Sequence, residues 1–205
     1  MRIGFKLLKF EKILFILFAF LAQNSLGNEL LKIQEEDLVM GDLNAPITII
    51  EYASLSCPHC ASFHNDTLPI IKKEYIDTGK VKYVFRDFPL NLPALHGSMI
   101  VRCVEDDLYF KYLNALFSLQ SSWVRATDSR EYLFEIIKNG GMSRSDFDSC
   151  LANKEIENQI LKNQIAAQQQ FRIKTTPSFV INGSLVEGNK PIDTFRTIFD
   201  NILSY

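Results

Sequence analysis

The feature that most constrains this chain is a Cys-x-x-Cys tetrapeptide, Cys57–Cys60, placed where an apolar strand gives way to a helix. The preceding run, Ile47–Ala53, is rich in apolar and β-branched residues, which is typical of a strand buried on both faces. A helix that begins at the tetrapeptide brings its first N–H groups and its positive dipole end next to the first sulfur. The sequence therefore favours a thiolate at Cys57.

The two residues between the cysteines suit a redox site. Pro58 fits the first helical turn, because its missing N–H would be unsatisfied there anyway. His59 can lend an N–H or a positive charge to the Cys57 sulfur, which favours the reduced pair and makes the disulfide a stronger oxidant. Cys60, one turn deeper, is expected to be the resolving thiol. A structural disulfide and half of a zinc site are the alternatives, but zinc needs two more ligands at matching spacing, and no second Cys-x-x-Cys or His-x-x-x-His motif follows.

The first 27 residues have the form of an export signal. They combine a basic start, an apolar core at Ile13–Ala22 and small residues at Ser25 and Gly27. We predict cleavage after Gly27 and no stable membrane insertion afterwards; an uncleaved anchor is the alternative. The remainder, residues 28–205, is long enough for one domain with a substantial core.

Charge and cysteine content limit the partners. Residues 1–27 hold four of the 22 Lys and Arg and one of the 24 Asp and Glu, so the remainder has a net charge of −5. This balance leaves no basic stripe and argues against a nucleic-acid partner. All four cysteines lie in the remainder, and an even number in an exported chain indicates an oxidising compartment. We predict no cofactor and no metal.

The order of elements indicates an α/β fold. A second strand is predicted at Val81–Phe88, and strand, helix and strand in this order form a right-handed parallel unit. Helical periodicity then runs from Pro93 to Phe171, which is too long for a loop and predicts a helical subdomain. Asn182-Gly183 predicts a hairpin, and Pro191–Leu203 predicts a closing amphipathic helix.

This order resembles a thioredoxin fold with an inserted helical subdomain. The chain is similar to the DsbA-like thiol:disulfide oxidoreductases of the bacterial periplasm. The resemblance implies a thioredoxin-fold domain at residues 28–93 and 172–205, and an inserted helical subdomain at residues 94–171. The stretches that match are Glu51–Cys60, Val84–Pro89 and Thr175–Gly183.

The resemblance also assigns roles around the tetrapeptide. It implies that Cys57 is the exposed nucleophile, that Cys60 is its partner and that Pro177 is cis. A cis Pro177 exposes the backbone of Thr176 beside Cys57, where an extended substrate can add as a strand. The alternative for Pro177 is an ordinary trans proline at the start of a strand.

Glu51 is a carboxyl group in a strand predicted to be buried, so it must be protonated or paired. The resemblance makes it the acid beneath the disulfide, with Lys82 as its charge partner. Such an acid can relay the proton of Cys60; a structural ion pair is the alternative. His64 and His96 have no match in the family, and we assign them to the surface or to packing.

Cys103 and Cys150 both fall in the predicted helical subdomain. Some members of the family carry a second cysteine pair in these places. In an oxidising compartment we expect a structural disulfide, worth roughly 3 to 4 kcal/mol by loop closure. Two separate buried thiols are the alternative.

The activity implied by the resemblance is oxidation of reduced, unfolded exported proteins in the periplasm. The Cys57–Cys60 disulfide passes to the client through a mixed disulfide on Cys57, and a quinone-linked membrane partner reoxidises the chain. Two alternatives stay open. The chain is a disulfide isomerase or reductase, although the arm at Asn28–Asn44 is short for the dimerisation that isomerases use. It is otherwise a non-catalytic periplasmic binding or chaperone module with structural cysteines.

Overall fold

The structure is a computed structural model that describes residues 32–204. Residues Asp37–Tyr205 cluster into one unit, and Met1–Glu36 into another, of which only residues 32–36 are described. The predicted export signal at residues 1–27 lies outside the described residues. Across residues 32–204, no helix has both the length and the apolar character that a membrane crossing requires.

A five-stranded mixed sheet carries the fold, and its two central strands are parallel. The strand order is β1-β3-β2-β4-β5, with β2 parallel to β3 and every other pairing antiparallel. The predicted parallel strand–helix–strand unit is present. The strands are β1 (Val39–Met40), β2 (Ile47–Ala53), β3 (Val81–Asp87), β4 (Ser178–Ile181) and β5 (Ser184–Glu187).

Strand β2 lies between β3 and β4, which explains its apolar sequence. All of its residues except Thr48 are buried. Glu51 stands opposite Phe85 of β3 and opposite Phe179 of β4. The one acidic residue of the strand is therefore carried into the protein core.

The segment after the tetrapeptide is helical from Pro58 to Ile76, but it is not a regular α-helix. Pro69 has no N–H to donate to the carbonyl of Asn65, and its ring crowds that carbonyl. The predicted kink near Asn65 takes the form of a wide π turn, in which the hydrogen bonds span one more residue. The parts are α1 (Pro58–Ser62), a π turn (Phe63–Thr67), α2 (Leu68–Ile71) and a second π turn (Lys72–Ile76).

The chain between β3 and β4 is helical, as predicted. Trp123, Phe117, Leu133 and Phe147 are fully buried within it and join the core of the sheet. The exact division at residues 94 and 171 stays a prediction. The helices are α3 (Leu92–Val101), a 3₁₀ turn (Asp106–Leu108), α4 (Tyr109–Ser118), α5 (Gln120–Trp123), α6 (Ser129–Lys138), α7 (Arg144–Ala152) and α8 (Lys154–Phe171).

The hairpin between β4 and β5 turns at the predicted Asn182-Gly183. Both residues have positive φ angles, 44° and 89°, which asparagine and glycine adopt readily. The Asn182 side chain also accepts a hydrogen bond from the N–H of Thr48 at 2.8 Å, so the turn is tied to β2. The closing helix α9 (Ile192–Leu203) packs Phe195 on Phe63 and Phe179.

Candidate active site

Cys57 is the N-cap residue of α1. Its backbone is extended, with φ −83° and ψ 120°, and its carbonyl accepts from the N–H of Ala61 at 3.1 Å. Cys57 and Cys60 are both unbonded thiols in this structure, so the geometry is that of the reduced pair. The Cys57 sulfur lies at the end of the helix where N–H groups are free to donate. Cys60 is completely buried.

A loop that is distant in sequence covers the Cys57 sulfur. The peptide bond between Thr176 and Pro177 is cis, and the Cys57 thiol donates to the carbonyl oxygen of Thr176 at 3.2 Å. The carbonyl of Pro177 is in turn bound by the N–H of Gly188 at 2.8 Å. The start of β4 and the start of α1 therefore meet at the nucleophilic sulfur.

The Cys57 site favours the thiolate. Hydrogen bonding from the Cys60 thiol outweighs burial and, assisted by the Thr176 side chain, lowers the pKa of Cys57 from 9.0 to about 5. The backbone N–H groups of Cys60 and His59 also lower it. The sequence predicted that N–H groups at the helix start would lie beside this sulfur. Their effect on the pKa explains why the start of a helix suits a cysteine nucleophile.

Cys60 has the opposite environment. Burial raises its pKa far above the ordinary value, and the hydrogen bond to Cys57 and the charge of Glu51 raise it further. A hydrogen bond from the backbone of Ser54 opposes the shift but does not reverse it. The Cys57 sulfur is therefore available as a thiolate for disulfide exchange, whereas the Cys60 sulfur keeps its proton.

Pro58 and His59 are exposed, whereas both cysteines are buried, so the expectation of an exposed Cys57 is wrong. The Thr176–Pro177 loop covers its sulfur. Pro58 occupies the first turn of α1. Of His59, the backbone N–H is the group that acts on the Cys57 sulfur. Within residues 32–204, no group of three or more His, Cys, Asp or Glu side chains is arranged to hold a metal ion.

Glu51 is fully buried, and its partners differ from the predicted one. Its Oε2 accepts a hydrogen bond from the Tyr83 hydroxyl, and His64 Nε2 lies 3.0 Å from the same oxygen. Lys82 instead donates to the carbonyl oxygens of Leu43 and Ala45, each at 2.9 Å. The predicted Glu51–Lys82 pair is corrected for a simple reason. Successive strand residues point to opposite faces of the sheet, and Tyr83, not Lys82, shares the face of Glu51.

His64 is one of the site residues that sequence reasoning missed. It is 5% exposed, so of the two expected places, the surface or the packed interior, it occupies the interior. Its ring is stacked on Phe117 with a centroid distance of 3.8 Å. One signal was available: His64 follows Cys60 by four residues, and residues four apart share a helix face. A histidine on the face that buries Cys60 faces the same core.

Gln120 ties the inserted helices to the active-site loop. Its side-chain N–H₂ group, Nε2, donates to the carbonyl oxygens of Leu55 and Cys57, each at 2.9 Å. The side chain is buried, and α5 supplies it from more than 60 positions further along the chain. No local pattern in the sequence marks this residue.

Cys103 and Cys150 form a disulfide that closes a separation of 47 residues. Cys150 is buried, and Cys103 is half-buried two residues after the end of α3. The bridge joins the turn that follows α3 to α7 inside the helical block. It is separate from the Cys57–Cys60 pair, which retains its two thiols.

The sequence of this chain matches a known protein family and named relatives. A family model described as Thioredoxin matches residues 34–201, which include the dithiol helix and the cis-proline loop. A protein of Rickettsia conorii, provisionally named a protein-disulfide oxidoreductase, is 35% identical over 173 residues. That match covers 84% of this chain and 62% of the relative, so this chain spans less than two thirds of the relative's length.

Solved structures show the same arrangement. The crystal structure of α-DsbA1 from Wolbachia pipientis has a TM-score of 0.81 at 33% identity, over 87% of this chain and 96% of that chain. BdbD from Bacillus subtilis shares the fold, with a TM-score of 0.75 at 21% identity, over 83% of this chain and 95% of that chain. The chain belongs to the thioredoxin family. Within that family it is a DsbA-like protein with an inserted helical subdomain.

Proposed function

We infer that this chain is a thiol:disulfide oxidoreductase that works as a dithiol oxidase. The observation that carries the inference is the division of the two sulfurs, with the pKa of Cys57 lowered to about 5 and that of buried Cys60 raised. A stabilised Cys57 thiolate favours the reduced form of the pair, so the disulfide is a ready electron acceptor. It also makes Cys57 a good leaving group.

The reaction proceeds in two exchanges. A substrate thiolate attacks the Cys57 sulfur, a substrate–Cys57 bond forms, and the Cys57–Cys60 bond breaks with its electron pair on Cys60, which takes up a proton. A second substrate thiolate then attacks the substrate sulfur of the mixed disulfide, and Cys57 leaves as a thiolate. The substrate loses two electrons and two protons; one proton stays on Cys60 and the other enters water.

The Thr176–Pro177 segment gives the substrate a place to bind. The Thr176 carbonyl lies 3.2 Å from the Cys57 sulfur, so a chain extended along this loop passes the nucleophile. Main-chain hydrogen bonds of this kind bind an extended peptide with little regard to its sequence. We assign unfolded proteins with free thiols as substrates, because an extended backbone is what this segment can pair with.

The setting is the bacterial periplasm or its equivalent. The form of residues 1–27, the even cysteine number and the DsbA-like relatives support export of the chain. Repeated turnover requires reoxidation of Cys57 and Cys60, and a quinone-linked membrane protein is the partner we assign to that step.

The experiment is oxidative refolding of a reduced ribonuclease by the full chain, together with the reduction potential of Cys57–Cys60 against glutathione. We expect stoichiometric oxidation of ribonuclease and a potential clearly more oxidising than that of a cytosolic thioredoxin. The C57A variant removes the nucleophile and should be inactive, whereas C103A/C150A keeps the dithiol and should stay active. A thioredoxin-like potential would instead favour a reductase, and an inactive wild-type chain with an ordinary thiol at Cys57 would favour a binding module.

A further inference from the structure

The disulfide exchange assigns no role to the buried side chains that surround Glu51. Two side chains converge on Oε2 of Glu51, from Tyr83 and from His64, while Oε1 is buried without a hydrogen-bond partner among the described residues. One oxygen of the carboxyl group is therefore anchored, and the other is open to a proton. Burial raises the pKa of Tyr83, so its phenol keeps its proton and stays a donor.

His64 is held by aromatic rings on several sides. Phe117 of α4 stacks on it at 3.8 Å, and Phe85 of β3 meets it edge-on at 5.8 Å between centroids. Its Nδ1 is buried without a hydrogen-bond partner among residues 32–204. A proton on Nδ1 would lack an acceptor, so this environment favours the proton on Nε2, where Glu51 accepts it.

The titratable groups that face this cluster come from each neighbouring element. Cys60 lies on the same helix as His64, Tyr83 lies on β3, Glu51 on β2, and Tyr109 is contributed by the start of α4. The charge of Glu51 acts on Cys60, Tyr83 and Tyr109. Among these groups Cys60 is the one whose proton must move each time the disulfide forms or breaks.

We propose that His64 is a positioning residue for the proton of Cys60: by anchoring one oxygen of Glu51, it holds the other ready to exchange a proton with the resolving thiol. This proposal rests on the dithiol chemistry of the proposed function but not on its oxidising direction. When Cys60 attacks a mixed disulfide on Cys57, the Cys60–Cys57 bond forms, the substrate sulfur leaves with the electron pair, and Glu51 takes the Cys60 proton. When the disulfide is reduced, the proton returns to Cys60.

The test isolates the step in which Cys60 attacks. The full chain is loaded with glutathione on Cys57, and the rate of glutathione release is measured from pH 5 to pH 9. We expect H64F, which keeps an aromatic ring against Phe117 but loses the donor, to release glutathione about tenfold more slowly at pH 7. The deficit should shrink as hydroxide replaces the internal base. H64Q, which restores a donor, should recover to within about threefold of the wild type.

Controls separate positioning from folding. H96Q removes the half-buried histidine of α3 and should release glutathione like the wild type. The Cys57 thiolate, followed by absorbance at 240 nm, should titrate alike in wild type and H64F, because His64 is not among the groups that shift its pKa. In an E51Q background, H64F should have little further effect, because the two residues act as one unit.

Two results with H64F would overturn the role proposed for His64. An H64F profile that coincides with the wild type overturns the proposal, and so does a slowing that is equal at every pH and remains in E51Q. If H64F does not fold, the comparison of H64Q, E51Q and the double variant carries the same decision, since additive effects would contradict the proposal. A wild-type chain that releases glutathione normally but does not oxidise ribonuclease would refute only the oxidase function.

Discussion

The side-chain amide of Gln120 donates to the carbonyl oxygen of Cys57 at 2.9 Å, so an inserted helix directly holds the backbone of the nucleophile. The same amide binds the carbonyl of Leu55, also at 2.9 Å. Two points of the loop that leads from β2 into α1 are therefore fixed by one residue of the helical block. The helical insertion therefore helps to hold the active-site loop in place.

Replacing Gln120 by leucine should destabilise the protein. The Leu55 carbonyl would lose its donor inside the protein, and an unsatisfied buried polar group costs about 1–3 kcal/mol. Urea unfolding of the reduced chain measures the loss. The matched control is Q159L, on exposed Gln159 of α8, where the change should stay within about 0.5 kcal/mol. Equal losses in the two variants would contradict the supporting role of Gln120.

The Cys60 thiol should set the acidity of Cys57. Its hydrogen bond is the largest cause of the low pKa of Cys57, about 5, so C60A should raise that pKa towards 9.0. C60S offers a hydroxyl donor in the same place and should raise it less. Absorbance of the thiolate at 240 nm between pH 3 and pH 10 gives both midpoints. If C60A and C60S titrate together near pH 5, the helix start alone accounts for the thiolate.

The contribution of Cys57 to the stability of the reduced protein should rise with pH. The Cys57 pKa is about 5 when folded and near 9.0 when unfolded, so the folded state holds fewer protons between these values. The contribution is absent below pH 5, grows between pH 5 and 9, and is complete above pH 9. Its slope is at most about 1.4 kcal/mol per pH unit, and solvent screening near the surface lowers it.

The measurement is the difference in unfolding free energy between the reduced wild type and reduced C57A at several pH values. Subtraction removes the other titrating groups, which both proteins share. A difference that does not change between pH 5 and pH 8 would show that the thiolate is not stabilised by the fold.

The Cys103–Cys150 bridge should act on stability and not on exchange. It closes a separation of 47 residues, for which loop-closure entropy predicts about 4 kcal/mol. C103A/C150A should therefore unfold at a lower urea concentration, with a loss of about 2–5 kcal/mol. Alkylation of Cys57 at pH 5 should proceed at the wild-type rate, since the two cysteine pairs are separate. A bridge that stabilises by less than about 1 kcal/mol would indicate a structured unfolded state.

Local patterns in the sequence were sufficient for the elements and their order. Three elements formed where predicted, and each is signalled by residues that are close together in the sequence. They are the β-branched run of β2, the glycine of the Asn182-Gly183 turn and the apolar periodicity of α9. The start of α1 at the tetrapeptide has the same origin. The sequence also predicted the kink in the helical segment after the tetrapeptide, because the missing N–H of Pro69 is a property of that residue alone.

The partners of the buried polar groups were decided by the tertiary structure. Lys82 and Tyr83 are adjacent in sequence, yet only the pleat of β3 against β2 determines which of them reaches Glu51. Gln120 and His64 gained their roles in the same way, by packing against strands and loops from other parts of the chain. Sequence patterns report on residues that are close along the chain, whereas a buried hydrogen bond depends on which faces meet after folding.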